Sequence, residues 1–476
     1  MKITRLEIKD YQQFKDFELD LTYPKGHSKA GQALDKVCFI GQSGTGKTTL
    51  LNIMKDYLSF LIIAKKDNNI TERFIRVSNE IINQPDLINE VYKITINANN
   101  YIYTVSKNGN KIENFGFFSS DFGKFWDFLS HINILKKVIY IFFNAELLDK
   151  GGEFIKNSDI SPHIYLDENE NMLQTLENEK IKLIKPFFDF STDNPVDIWR
   201  IILNNAHSYM KEEVKYSKAL AKKILSSNSE EMDEIVKKAK EWRKNTTNPF
   251  AELAEKINPI LNEFNLELKI NINFEDIEEM KFVSIHHKGT FSEKLNYHTW
   301  STGTKQVIMS ATPLFALDSS ESVILFDEPE RSLYPNIQKN LIKYYTGLAP
   351  EAQFFFATHS PLIASQFEPW EIVELKFDED GRVYREKFYE GENHVDNYTI
   401  YPQYLRWDSI LRKVFDLDTD RNSLGNEKLN ELTALEVKLR KLKQKEGDNQ
   451  TEILEVWEEY EKLADLLDWH INEKNR

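Results

Sequence analysis

Eight consecutive residues, Gly41-Gln42-Ser43-Gly44-Thr45-Gly46-Lys47-Thr48, fit the pattern G-x-x-x-x-G-K-[ST]. Glycines at this spacing let successive backbone N–H groups turn inward onto phosphate oxygens, and a following helix adds the positive end of its dipole. Lys47 is expected to reach the β- and γ-phosphates and Thr48 to offer its hydroxyl to Mg²⁺, with Thr49 beside them in the same set. The plain alternative is a glycine turn that binds nothing. A second candidate is Val323-Ile324-Leu325-Phe326-Asp327-Glu328, an apolar run ending in two carboxylates. Asp327 at the tip could hold Mg²⁺ through water, and Glu328 could position or deprotonate an attacking water. Alone, this is equally a strand running into an acidic turn.

Two further segments carry weaker chemistry. In Trp300-Ser301-Thr302-Gly303-Thr304-Lys305-Gln306, Ser301, Thr302 and the backbone around Gly303 would form a second small anion cradle at a helix start, or simply an N-cap. In Phe354-Phe355-Phe356-Ala357-Thr358-His359-Ser360-Pro361, His359 could hydrogen-bond a γ-phosphate, or could be a structural histidine at a strand end.

The elements around these residues would place them together. Residues 37–40 (Val-Cys-Phe-Ile) form a continuous apolar run of the buried parallel-strand kind, followed by the glycine turn and a helix over about 48–64. Strands are predicted at 138–143, 266–274, 282–286, 323–326 and 354–357, and a helix over 303–317. Residues 1–21 alternate as two short strands turning near 11–14, and 90–105 alternate as a small antiparallel sheet. Segment 195–244 is helical and rich in Lys and Glu, 249–261 continues as helix, and 371–388 reads as a hairpin turning at Asp380-Gly381. In the tail, Leu432, Leu435, Leu439 and Leu442 are spaced by three and four. After a break at 447–449, so are Ile453, Trp457, Tyr460, Ala464, Leu467 and Ile471, which predicts a helical hairpin with one apolar seam.

Composition bounds what such a chain can be. With 476 residues, length suggests about three folding units. A hydrophobic share of 41% against 29% charged excludes a disordered chain. The net charge of −15 argues against a continuous nucleic-acid footprint but leaves room for one basic stripe. A single cysteine, Cys38, excludes an intramolecular disulfide and a cysteine-cluster metal site and fits a reducing compartment. The first ten residues are charged and alternating, and the apolar run 58–64 is too short to span a bilayer. The expectation is a cytoplasmic protein with no membrane partner.

The four segments occur in a fixed order, each at the C-terminal edge of an expected parallel strand or at a helix start. Ligands bind there in open α/β sheets. On these residues the chain resembles the ATP-binding-cassette ATPases, in their SMC-like, RecF-like and OLD-like branch. In that resemblance residues 41–48 are the Walker A loop and Phe326-Asp327-Glu328 completes Walker B. Residues 301–306 stand for the signature loop, Glu330-Arg331-Ser332-Leu333-Tyr334-Pro335 for the D-loop, and His359 for the switch histidine. The motifs lie within 1–50 and 295–365.

The resemblance implies an α/β fold, a P-loop ATPase head with a mixed sheet, an antiparallel β subdomain, a helical insert and a C-terminal helical hairpin. It implies a first lobe at 1–150, a helical insert or lid at 151–280, a second lobe at 281–400 and an oligomerisation or effector-docking region at 401–476. ATP and Mg²⁺ are the cofactors it implies. Its partner is a second copy, because in the family one subunit's signature loop caps the nucleotide held by another's Walker motifs. Two composite sites per head-to-head dimer follow from an isologous contact. Departures from the family are Thr302 where many relatives have glycine, Gln12-Gln13 near a frequent arginine, and Asn144-Ala145-Glu146 where a glutamine loop is expected.

The insert over 151–245 excludes a long coiled coil. It carries Lys211, Lys215, Lys218 and Lys222 at helical spacing, then Lys237, Lys238, Lys240, Arg243 and Lys244. This is either a phosphate-backbone contact for DNA or RNA or a solvated face balanced by Glu212, Glu213, Glu230 and Glu231. OLD-like relatives carry a Toprim-type nuclease. Here only Asp416, Asp418 and Asp420 could mimic one, and they read as a polar loop, so no nuclease is expected on this chain. Stand-alone ATPases of this layout resemble those of bacterial anti-phage defence systems, such as the Septu type, which work with a separately encoded effector nuclease. The alternatives are a repair or recombination ATPase that clamps DNA directly and a scaffold that uses ATP only structurally.

Overall fold

The computed structural model describes residues 2–66, 91–98, 101–106, 140–145, 187–191, 193, 195–225, 229–246, 248–270, 283–289, 300–317, 319, 321–386, 394–395, 400–415, 417, 422–444 and 450–469. The chain divides into two compact units, Met1–Leu405 and Arg406–Arg476.

The first unit is organised by strands β1 (Lys2–Tyr11), β2 (Phe14–Asp20), β3 (Lys36–Gly41), then helix α1 (Lys47–Lys66) and strands β4 (Val91–Ala98), β5 (Tyr101–Ser106), β6 (Tyr140–Phe143) and β7 (Phe187–Asp189). Helices α2 (Pro195–Leu225), α3 (Ser229–Asn245) and α4 (Pro249–Leu261) follow, then β8 (Leu266–Ile270) and β9 (Val283–His287). The second run of motifs lies on α5 (Thr302–Ala316), β10 (Val323–Asp327), α6 (Pro335–Gln338), α7 (Leu341–Leu348), β11 (Gln353–Ala357), α8 (Pro361–Ala364), β12 (Ile372–Phe377) and β13 (Val383–Arg385).

Eleven strands form one sheet in the order β5-β4-β1-β2-β13-β12-β3-β11-β10-β6-β7, while β8 and β9 pair separately. From β12 to β7 the sheet is parallel. Strands β10 and β11 are buried at every residue, as a sheet covered on both faces requires. The β4–β5 hairpin is antiparallel, as its alternation predicts, and β1 joins it to the same sheet. A register shift between Ile3 and Arg5 lets Ile3, Leu6 and Ile8 all be buried despite their uneven spacing. Gly381, with φ +76°, turns the β12–β13 hairpin where Asp380-Gly381 predicts it.

An aromatic column ties the sheet to the helices. Phe326 stacks on Phe143 at 4.3 Å, Tyr345 at 4.6 Å and Phe356 at 5.4 Å, and the Tyr345 hydroxyl meets Ser310 Oγ on α5 at 2.6 Å. The strand carrying Asp327 and the helix beginning at Thr302 therefore share one core. Helices α2 and α3 form a hairpin closed by Trp242 against Tyr209 and Tyr216, with Arg243 on Glu213 at 2.7 Å.

At the opposite end of β3 from the glycine turn, Asp35 accepts hydrogen bonds from Lys2, from Lys29 at 2.6 Å and from the Tyr23 hydroxyl at 2.9 Å. Burial pushes its carboxyl up, but the bonds from Lys2 and Lys29 outweigh that and hold it at about 2. A depressed folded value stabilises above the unfolded 3.8 and is lost as pH falls toward 2. Asp35→Asn is expected to lower Tm at pH 7, with the gap to wild type closing between pH 4 and pH 2. Thermal melts across that range check it.

The second unit contains α9 (Trp407–Lys413), α10 (Ser423–Gln444) and α11 (Gln450–Leu466). Leu432, Leu439 and Leu442 of α10 bury against Val456, Tyr460 and Ala464, with Leu435, Ile453, Trp457 and Leu467 flanking them. This is the expected seam; Ile471 lies outside the described residues. Among the described residues no helix is long and apolar enough to cross a membrane.

Candidate nucleotide site

The glycine turn leaves β3 in a conformation only glycine tolerates at three points: Gly41 (φ +145°), Gly44 (+86°) and Gly46 (+87°). A Cβ on Gly41 would lie 2.3 Å from the Leu375 carbonyl oxygen, and one on Gly46 would lie 2.4 Å from Gln13 Nε2. Thr45 Oγ1 and Lys47 Nζ both donate to Gln42 O, at 2.8 and 3.0 Å, and Lys47 Nζ also donates to Gly41 O at 2.9 Å. The lysine head thus rests inside its own loop, on carbonyls it would exchange for phosphate oxygens. Ser43 and Thr49 stand on the same turn and helix start.

Thr48 connects the loop to the second motif, its Oγ1 donating to Asp327 at 2.9 and 3.0 Å from the two carboxylate oxygens. A hydroxyl and a carboxylate brought together from 279 residues apart in sequence are a hard-oxygen pair suited to Mg²⁺. A Cβ at Gly41 or Gly46 would strike Leu375, Gln13 or Phe14, so the loop can take this turn only with glycine there. The donor set it presents, buried Lys47 beside the Thr48–Asp327 pair, fits a nucleotide with its metal. Lys47 and Asp327 are only 6% and 7% exposed. Burial pushes the Asp327 carboxyl up to about 6, the Thr48 hydroxyl opposing and Glu328 adding to it. Burial likewise brings the Lys47 ammonium down to about 8, against the attraction of Asp327, Glu328 and Glu330.

Glu328 follows with φ +48°, held by its N–H on Ala357 O at 2.8 Å. Left-handed backbone at a non-glycine residue costs about 1–3 kcal/mol and is kept where the surroundings fix it. Here it turns the chain sharply at the strand tip. Partial burial and the Lys47 charge lower the His359 imidazole below its ordinary value, against Glu328. Strand β11, which carries His359, lies between β3 and β10. The structure therefore gathers residues 41–49, Asp327, Glu328 and His359 at the C-terminal edge of three adjacent parallel strands.

Ser301 and Thr302 are exposed at the start of α5. Ser301 is the N-cap: its Oγ accepts from Thr304 N at 3.1 Å and meets Thr304 Oγ1 at 2.7 Å. Gly303 is buried for a reason inside the chain, since a Cβ there would sit 2.7 Å from the Ser332 carbonyl. Gln13 and Thr358 have no assigned role in the sequence, and Glu330 stands there only as the first residue of the D-loop. Gln13 Nε2 lies 3.4 Å from Gly44 O, and Glu330 accepts from Thr358 and the His359 N–H. The unusual pair Gln12-Gln13 was the only sequence sign of the first. On α2, Lys215, Lys218 and Lys222 are exposed, with Lys215 paired to Glu212; the Lys211 side chain, Glu146, Asp416, Asp418 and Asp420 lie outside the described residues.

A phosphate cradle joined to a hydroxyl–carboxylate pair on a parallel sheet is the site of a nucleotide-binding P-loop protein. The chain belongs to the AAA ATPase domain family, whose model matches residues 1–364. It is similar to the Septu protein PtuA of Bacillus thuringiensis, 29% identical over 111 residues, which is 23% of this chain and 26% of that protein. The matched part thus spans about a quarter of that relative's length. Among solved structures it is similar to the SMC head domain from Thermotoga maritima (9% identity, TM-score 0.36, 81% of this chain and 98% of that one). It is also similar to the Smc head domain with an extended coiled coil, bound to the C-terminal domain of ScpA, derived from Pyrococcus furiosus (15%, 0.34, 81% and 96%).

Proposed function

We propose that this chain is a Mg²⁺-dependent ATP hydrolase that pairs head to head on ATP and acts as the regulatory ATPase of an anti-phage defence system, controlling a separately encoded effector nuclease. The observation that carries the ATPase reading is the Thr48–Asp327 contact beside buried Lys47, with Glu328 on the next residue. Lys47 leaves the carbonyls of Gly41 and Gln42 for the β- and γ-phosphates, and the backbone N–H groups of residues 43–48 surround the rest. Thr48 and Asp327 would hold Mg²⁺, which when bound would neutralise charge on the phosphate oxygens. Glu328 orients a water and accepts its proton as the new O–P bond forms and the bond to ADP breaks. His359 donates one hydrogen bond to the γ-phosphate.

Exposed Ser301 and Thr302, at a helix N-terminus with a side-chain cap, suit a γ-phosphate presented from a second copy. The defence reading rests on the stretch shared with the Septu protein. Phage should plate poorly on cells carrying this chain together with its proposed effector nuclease, and Asp327→Ala should restore plating. Protection that survives Asp327→Ala would remove the regulatory role.

A further inference from the structure

Three consecutive residues after the Glu328 turn each reach a different loop. Glu330 Oε1 accepts from Thr358 Oγ1 at 2.5 Å and from His359 N at 3.2 Å. Arg331 Nη1 donates to Ala145 O at 2.8 Å, beyond the end of β6. Ser332, itself at φ +64°, brings its carbonyl against Gly303. Of these, Glu330 is the contact whose chemistry asks most for a purpose. Its Oε2 is buried and has no hydrogen-bond partner among the described residues. A half-satisfied buried carboxylate is a poor source of stability, since an apolar side chain of similar size avoids the desolvation cost.

What Glu330 does fix is the backbone of the switch loop, on both sides of one residue. Thr358 is fully buried; its hydroxyl donates to Glu330 and accepts from Ser360 N at 2.9 Å. The peptide N–H of His359 donates to the same Glu330 oxygen. Ser360 is held in turn, its hydroxyl donating to Gln338 Oε1 at 2.6 Å while capping α8. The His359 imidazole, by contrast, makes no hydrogen bond of its own among the described residues and is exposed. Its direction is therefore set by the backbone that carries it.

We propose that Glu330 is a positioning residue for hydrolysis: its Oε1 clamps the Thr358–His359 segment so that the imidazole meets the γ-phosphate. This rests on the ATPase reading above. A displacement of about 1 Å in a group that meets the transition state can cost a hundredfold in rate. Glu330→Ala should therefore lower kcat by about ten- to a hundredfold while KM for ATP changes little. Glu330→Gln keeps an acceptor at Oε1 and should retain most of kcat. Thr358→Val should act like Glu330→Ala, and Thr358→Ser like wild type, which keeps the question open to test if Glu330→Ala does not fold.

Steady-state hydrolysis is measured for these variants with His359 intact and with His359→Ala. A clamp acting through the histidine predicts that Glu330→Ala causes no further loss once the imidazole is gone. Unchanged kcat in both Glu330→Ala and Thr358→Val, or a full additional loss in the His359→Ala background, overturns the proposal. Lys47→Ala is run alongside: turnover undiminished there sinks the ATPase reading, whereas its loss with an intact Glu330→Ala sinks the clamp alone. A wild-type chain without turnover sinks both.

Discussion

Glu328→Gln is expected to reduce steady-state ATP turnover by about 10²- to 10⁴-fold while leaving ATP affinity nearly unchanged. Glu328 follows the Asp327 that meets Thr48, and its left-handed backbone is pinned through its N–H to Ala357 O. Glutamine has the same shape and strains the position no further, so what is removed is the capacity to take a proton. A general base contributes to the transition state and hardly to ground-state binding, so the loss should fall on kcat. Phosphate release under saturating ATP, paired with equilibrium binding, separates the two. A variant that loses affinity but keeps kcat would place Glu328 in binding rather than in proton transfer.

Lys47→Ala should weaken ATP binding by more than about a hundredfold, because it removes the ammonium held within the phosphate loop. Burial already penalises this ammonium, which is why its pKa sits at about 8 instead of 10.5. With the folded value depressed, the native chain binds fewer protons than the unfolded one between about 8 and 10.5. This group therefore makes stability rise with pH over that window. The same penalty means that Lys47→Ala should cost the unliganded chain little in Tm. Binding runs the other way. Phosphate requires the ammonium, so ATP affinity in the wild type should fall as pH rises above about 8, with proton uptake on binding. Calorimetric titration at several pH values reads both effects; a pH-independent affinity from 7 to 10 would contradict them.

Much of this site was legible in the residues themselves. The glycine spacing at 41–46, the apolar run into Asp327-Glu328 and the aromatic run into His359 each mark a strand end, and the structure gathers these three ends on adjacent parallel strands. What the sequence hides is contact made across long separations. Nothing in the periodicity says that β11 lies between β3 and β10, or that Thr48 meets Asp327. Nor does it say that Gln353, alone in an apolar strand, bridges Ile3 and Leu34 through its amide. Backbone conformation is hidden likewise. Glu328 and Ser332 are left-handed because the packed loops around them fix that shape, although neither residue type favours it. Gly303 reads as part of an anion cradle, while its burial against Ser332 shows a second, steric reason for the missing side chain.

In the proposed dimer, Ser301 of one copy completes the pocket around Lys47 in another. The most direct test of that contact is the solution mass of Glu328→Gln with and without Mg·ATP, by light scattering. The mass should double, or rise in multiples of two chains, only with ATP. Adding Ser301→Arg should abolish the rise while each chain still binds nucleotide. A mass unchanged at saturating ATP, or a rise that Ser301→Arg leaves intact, would contradict it.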